Sequence, residues 1–180
     1  MKKPSDSGSV IFTVGHSTRT LEELVQLLRA HGIRRLVDVR TIPRSRHNPQ
    51  FNRETLSRAL RNRRIAYRHM KALGGLRHAR AESPNTGWRN ASFRGFADYM
   101  QTPEFDEALS KLIDLSADRP TAIMCAEAVP WRCHRSLIAD ALAVRGVVVR
   151  HIYSPASVKP HALTQMARVQ GTTVTYPASA

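Results

Sequence analysis

The chain has 180 residues, one domain's worth, and is long enough to bury a core of its own. Hydrophobic residues at 42% exclude a disordered chain, and no apolar run approaches the roughly 18 residues of a membrane span. The formal net charge of +14 is unevenly placed: residues 34–94 carry sixteen Lys and Arg against three acids (Asp38, Glu54, Glu82), whereas residues 95–149 carry five against eight. Such a segment favours an anionic partner, a nucleotide or nucleic acid, with a solvated basic face as the plain alternative. Lys2 and Lys3 are followed by no apolar core, so no secretory signal is expected. The two cysteines read as reduced thiols of a cytoplasmic protein.

In chain order, residues 1–9 read as a disordered leader, 10–153 as one α/β domain and 154–180 as a C-terminal extension. Val10–Val14 is β-branched and aromatic, hence a strand, and runs into Gly15-His16-Ser17-Thr18. Thr18 or Thr20 can cap the next helix, with Glu22 and Glu23 in its first turn and Leu21, Leu24, Val25 and Leu28 on its apolar face. Arg35–Val39 is a second strand, ending in Asp38-Val39-Arg40. The stretch TIPRSRHNPQFN, containing Pro43, Ser45, Asn48 and Pro49, is a loop by its turn residues. Asn52–Arg64 is a basic helix, Ile65–His69 a third strand, and residues 76–92 an aperiodic loop of functional length. Phe93–Met100 and Pro103–Ser116 are helices parted at Thr102-Pro103. Thr121–Cys125 is a buried strand, and Val147–Ile152 a fifth one.

Between those last two strands lies AEAVPWRCHRSLIADALAVRG, where a helix is expected from near Trp131. The alternation of strands and helices predicts an α/β, Rossmann-like fold: a mainly parallel sheet of about five strands with helices on both faces. Parallel strands bring His16 and Ser17, Asp38 and Arg40, Cys125 and Glu127, and His151 toward one sheet edge, where open α/β sheets bind ligands.

The residue types at that edge suit acid–base chemistry beside an anion. Asp38 and Glu127 are the general acid/base candidates, with His16, His134 and the thiol of Cys125 as further catalytic candidates. Ser17, Arg40, Ser45, Arg132, Cys133 and Arg135 are candidates for substrate binding. A helix start without a side-chain cap would leave amides for an anion and depress the Cys133 thiol, provided Glu127 pairs with Arg40 or is protonated. Other chemistries fit less well. Six residues, without glycine, separate Cys125 from Arg132, unlike the compact phosphate-cradling loop of a Cys-dependent phosphatase. Cys125, Cys133 and His134 match no common zinc spacing, so no metal is expected, and no cofactor is indicated. Ser17 lacks the Gly-x-Ser-x-Gly setting of a hydrolase nucleophile. Cys125 as a small buried hydrophobe remains an alternative.

VGHST (14–18), DVRTIPRSRHNPQFN (38–52), LGG (73–75), FADYM (96–100), MCAE (124–127), CHR (133–135) and HI (151–152) occur in this order. In these the chain resembles the domain of unknown function 488 family, from about Val10 to Ile152. The resemblance implies a Rossmann-like α/β domain and no established activity or cofactor. The expectation is therefore an enzyme acting on a phosphate-bearing substrate, a nucleotide or nucleic acid, at the strand ends. The alternative is a non-catalytic nucleic-acid-binding module using the basic face of residues 34–94.

Overall fold

The computed structural model describes residues 8–179. Its elements run β1 (Val10–Gly15), α1 (Leu21–Ala30), β2 (Arg35–Asp38), α2 (Arg53–Asn62), β3 (Ala66–His69), α3 (Ala91–Tyr99), α4 (Pro103–Ser116), β4 (Thr121–Cys125), α5 (Arg135–Ala143), β5 (Val148–Ser154), β6 (Ser157–Pro160), β7 (Arg168–Gln170) and β8 (Thr173–Thr175). Strands β1 to β6 form one sheet in the order β3-β2-β4-β1-β5-β6. All neighbours are parallel except the β5–β6 pair, so the α/β reading holds with one antiparallel strand more than the five expected.

β4 shows why the sheet is covered on both faces. Its five residues are all buried. Ala122 and Met124 pack with α1 and α2, while Ile123 and Cys125 pack with α3, α4 and α5. Successive side chains of a strand point to opposite faces, so a continuous apolar run needs a helix layer on each. Helix ends follow local chemistry. Thr20 and Glu23 form a reciprocal capping box at α1, and Thr102 accepts the Phe105 amide at α4.

The segment after β5 wraps onto the domain: β6 joins the main sheet, β7 and β8 form a hairpin, and Val174 and Tyr176 are buried in the core. One region differs from expectation. The helix expected from near Trp131 begins instead at Arg135. Pro130–Arg132 is a separate 3₁₀ turn, and Cys133 is extended (φ −136°, ψ 148°), which breaks the helix before it forms. Residues 1–7 of the expected leader lie outside the described residues.

Candidate functional site

The carboxyl ends of β1, β2 and β4 lie side by side, with Gly15 opposite Cys125 and Asp38 opposite Met124. The turn after β4 crosses directly over Gly15, where a Cβ would stand 1.7 Å from the Glu127 carbonyl oxygen; only glycine fits. Beyond it the His16 amide donates to the Cys125 carbonyl (3.0 Å) and the Ser17 amide to that of Ala126 (2.9 Å). Ser17 is left-handed, with φ 49°.

Asp38 and Arg40 form a closed unit. Arg40 donates to the carboxylate through Nε (2.9 Å to Oδ1) and Nη2 (2.7 Å to Oδ2), and the Tyr67 hydroxyl donates to Oδ2 (2.6 Å). Arg40 also donates to the Phe51 carbonyl, and its own carbonyl receives His69. Burial opposes the Arg40 charge, but the Asp38 hydrogen bond holds its pKa above the ordinary value. Burial and the Asp38 charge push the Tyr67 hydroxyl up, so it stays a donor. Of the two alternatives for Glu127, pairing with Arg40 does not occur: Asp38 and Arg40, at one strand end, reach each other bidentately while Glu127 is exposed.

His16 stacks on Phe51 with ring centroids 4.4 Å apart. Its Nδ1 meets the Ser17 carbonyl (2.8 Å), which makes Nδ1 the donor and leaves Nε2 as acceptor toward Arg40 Nη1 at 3.4 Å. Burial and Arg40 lower its pKa, outweighing the Ser17 carbonyl and Asp38. His134 is similarly neutral: burial, with Arg135 and Arg77, lowers it to about 4 against the carbonyls that raise it. Its Nε2 donates to Val39 (3.0 Å) and Leu73 (3.1 Å), stapling the loops after β2 and β3.

Arg135 is fully buried, 0% exposed. Its Nη2 donates to the Glu127 and Ala128 carbonyls (3.0 Å each) and Nη1 to Thr13 Oγ1 (2.8 Å). The Cys125 thiol also reaches the Glu127 carbonyl (3.7 Å), and the Arg135 amide donates to Cys133 Sγ (3.5 Å). The depressed thiol is Cys125, whereas Cys133 was expected to be lowered. Burial pushes Cys125 up, but the neighbouring Cys133 thiol and Arg135 bring it below its ordinary value. Cys133 is pushed well above by burial and by Cys125. Cys133 precedes the helix instead of sitting in its first turn, and it shares the site with a thiol that holds the better cationic contact.

From Arg135 a hydrogen-bond chain runs inward. Thr13 Oγ1 lies 2.6 Å from His151 Nδ1, His151 Nε2 2.8 Å from His161 Nδ1, and His161 Nε2 2.7 Å from Asp140 Oδ1. Asp140 also accepts the Tyr176 hydroxyl (2.7 Å) and the Thr164 amide (3.1 Å). The structure therefore places His151 in an interior chain that touches the edge only through Thr13. Thr13, Tyr67, Asp140, His161 and Tyr176 were missed as site or relay residues. For Asp140 a signal existed: a carboxylate inside the apolar run Leu137–Leu142 needs donors.

On the solvent side of the edge stand Thr18, Glu127, Arg132, Arg44 and Arg46, all exposed. Ser45 instead braces its loop: its hydroxyl accepts the Asn48 amide and its amide donates to Asn52. Three large apolar side chains are also bared in loops at this end: Ile42 (60%), Leu76 (70%) and Trp131 (62%). Their loops are tied together, since Thr41 Oγ1 donates to the Gly75 carbonyl (2.8 Å) and Gly75 packs on the His134 ring. Leu76 is left-handed (φ 57°), a strained setting for a branched side chain. A groove of about 720 Å³ lies elsewhere, along β3 against α4. Arg68, Lys71 and Lys111 line it together with Glu104, Glu107 and Asp114, a mixture without preference for an anion. Among the described residues no cluster of three metal-ligating side chains occurs, and no helix is long and apolar enough to cross a membrane.

No curated protein and no solved structure matches the chain. The family model described as "Domain of unknown function DUF488" matches residues 20–142, which span α1 through β4 and nearly all of α5, and the chain belongs to that family.

Proposed function

We propose that the protein is an enzyme acting on a phosphate-bearing substrate, a nucleotide or nucleic acid, at the carboxyl edge of the sheet. The observation that carries this reading is the company kept there: exposed Arg44, Arg46 and Arg132 beside exposed Trp131, Leu76 and Ile42. Guanidiniums neutralise phosphates, and bared flat or apolar side chains accept the face of a base. A soluble surface has no use for a strained, solvent-facing leucine unless something covers it. Glu127, exposed and outside the ion pairs of the edge, is the general acid/base in this reading. Asp38 is held by four donors, the Arg40 amide, Nε and Nη2 and the Tyr67 hydroxyl, and serves as scaffold for Arg40.

The test follows Trp131 fluorescence while nucleoside phosphates and a short single-stranded oligonucleotide are titrated. Saturable binding that weakens steeply with salt is expected, with Arg132→Ala and Trp131→Ala each costing about tenfold in affinity. Glu127→Gln should bind normally and lose turnover of the ligand so identified. Absence of saturable binding, or binding untouched by both edge variants, rejects the reading. A second reading, a non-catalytic nucleic-acid-binding face, rests on exposed Arg53, Arg58, Arg61 and Arg64 along and just beyond α2. It predicts that Arg58→Glu with Arg61→Glu abolishes binding while Trp131→Ala leaves it intact.

A further inference from the structure

Arg135 presents a physical anomaly. A buried guanidinium normally faces a carboxylate, because an unpaired charge inside a protein is strongly destabilising. None of the ion pairs among the described residues includes Arg135. Its partners are carbonyls and a threonine hydroxyl, all neutral, and its Nε has no partner at all. The groups beside it that can become anions are thiols. Cys125 Sγ shares the Glu127 carbonyl with Arg135 Nη2, at 3.7 Å and 3.0 Å, and Cys133 Sγ receives the Arg135 amide. Both sulfurs therefore sit against one residue, at the end of β4 and just before α5.

We propose that Cys125 and Cys133 are a redox-active thiol pair, in which the Arg135 guanidinium holds the Cys125 thiolate and a small hydroperoxide oxidises the pair to a disulfide. Arg135 is oriented for this by Thr13, whose hydroxyl is itself fixed by His151. The asymmetry of the two thiols supports the division of labour: Cys125 lies below its ordinary pKa and Cys133 well above, so one is the nucleophile and the other the proton-bearing resolving thiol. Both are nearly closed to solvent, but the residue after Cys125 is already exposed. Sulfurs this buried suit a reagent the size of hydrogen peroxide better than a bulky disulfide.

The Cys125 sulfur attacks one oxygen of the hydroperoxide. A sulfur–oxygen bond forms, the oxygen–oxygen bond breaks, and its electron pair leaves on the other oxygen, which takes a proton from solvent and departs as water or an alcohol. The Cys133 sulfur then attacks the Cys125 sulfenic acid. A disulfide forms, the sulfur–oxygen bond breaks, and hydroxide leaves as water with the proton given up by Cys133. The dithiol is oxidised by two electrons and the hydroperoxide reduced by two. An external dithiol returns the pair to the reduced state by exchange.

The experiment treats the folded protein with one equivalent of hydrogen peroxide and reads intact and peptide masses. Wild type is expected to lose the mass of two hydrogens, in a single Cys125–Cys133 crosslink that dithiothreitol reverses. Cys133→Ser should instead gain one oxygen at Cys125, trapped by a dimedone probe, and Cys125→Ser should consume no peroxide. Arg135→Lys keeps the charge but loses the fork, and should slow oxidation about tenfold. Circular dichroism separates that from unfolding, and the two serine variants carry the test if it does unfold. The proposal is overturned if wild type forms no crosslink, or if Cys125 in Cys133→Ser reacts no faster than free cysteine at the same pH.

Discussion

Thr13 passes its hydroxyl hydrogen to His151. Arg135 Nη1 can only donate to Thr13 Oγ1, and among the described residues the one other partner of this buried hydroxyl is His151 Nδ1, at 2.6 Å, so the hydroxyl hydrogen goes there. With the His151 ring neutral, every later bond then has one direction: His151 Nε2–H to His161 Nδ1, and His161 Nε2–H to Asp140. One relay thus ties the strand-end guanidinium to a carboxylate that holds the C-terminal segment through His161, Thr164 and Tyr176.

His151 should therefore carry its hydrogen on Nε2 alone at neutral pH. Imidazole ¹⁵N shifts check this, and an Nδ1–H signal from His151 would reverse the relay. Asp140→Ala, which strands three donors, should cost about 3 kcal/mol in denaturant unfolding, and Tyr176→Phe about 1 kcal/mol. Hydrogen exchange should show the loss of protection centred on residues 157–176.

Acid should weaken the fold well before the carboxylates titrate. Burial lowers His151 to about 3, with His161 and Arg135 adding to it, and His134 lies near 4. Both are below the ordinary 6.5 of the unfolded chain, so below that pH the unfolded state binds more protons than the native one. Stability is fully present above 6.5 and is lost as pH falls from there toward 4 and then 3, by up to about 1.4 kcal/mol per pH unit for each histidine. Denaturant midpoints measured across this range check it; a flat profile between pH 6.5 and 4 contradicts the buried neutral rings.

Asp38 and Arg40 should behave as one structural unit. Asp38→Asn leaves a buried guanidinium without its counter-charge and should destabilise by about 3 kcal/mol. Arg40→Gln should do likewise. The double variant should cost clearly less than the sum, a coupling of at least about 1 kcal/mol in a double-mutant cycle. Additive costs would show that the pair is not the unit described.

Leu76→Gly separates fold from function. The left-handed backbone suits glycine, and the leucine side chain is mostly in water, so the variant should match wild type or gain up to about 1 kcal/mol. Ligand affinity at the edge should nevertheless fall. A variant that loses stability by more than 1 kcal/mol would place Leu76 in packing rather than at a binding surface.

Element identity was legible in the chain itself because its causes are short in range. The apolar run Thr121–Cys125 implied a central strand, the Thr20–Glu23 spacing a helix start, and strand–helix alternation a parallel sheet. From that alone the strand ends bearing His16, Asp38, Arg40, Cys125 and Glu127 could be brought to one edge. Which charge meets which could not, since pairing depends on burial and on partners far apart in sequence. Arg40 chose Asp38 over Glu127 by bidentate reach. Arg135 turned inward to Thr13, 122 positions away, once extended Cys133 delayed the helix. Cys133 is not the lowered thiol, because Cys125, at the end of β4, shares a carbonyl with that guanidinium while Cys133 meets only the Arg135 amide. The last segment looked peripheral because its sequence has little periodicity; its hold on the domain comes from Asp140, whose donors only the folded chain assembles.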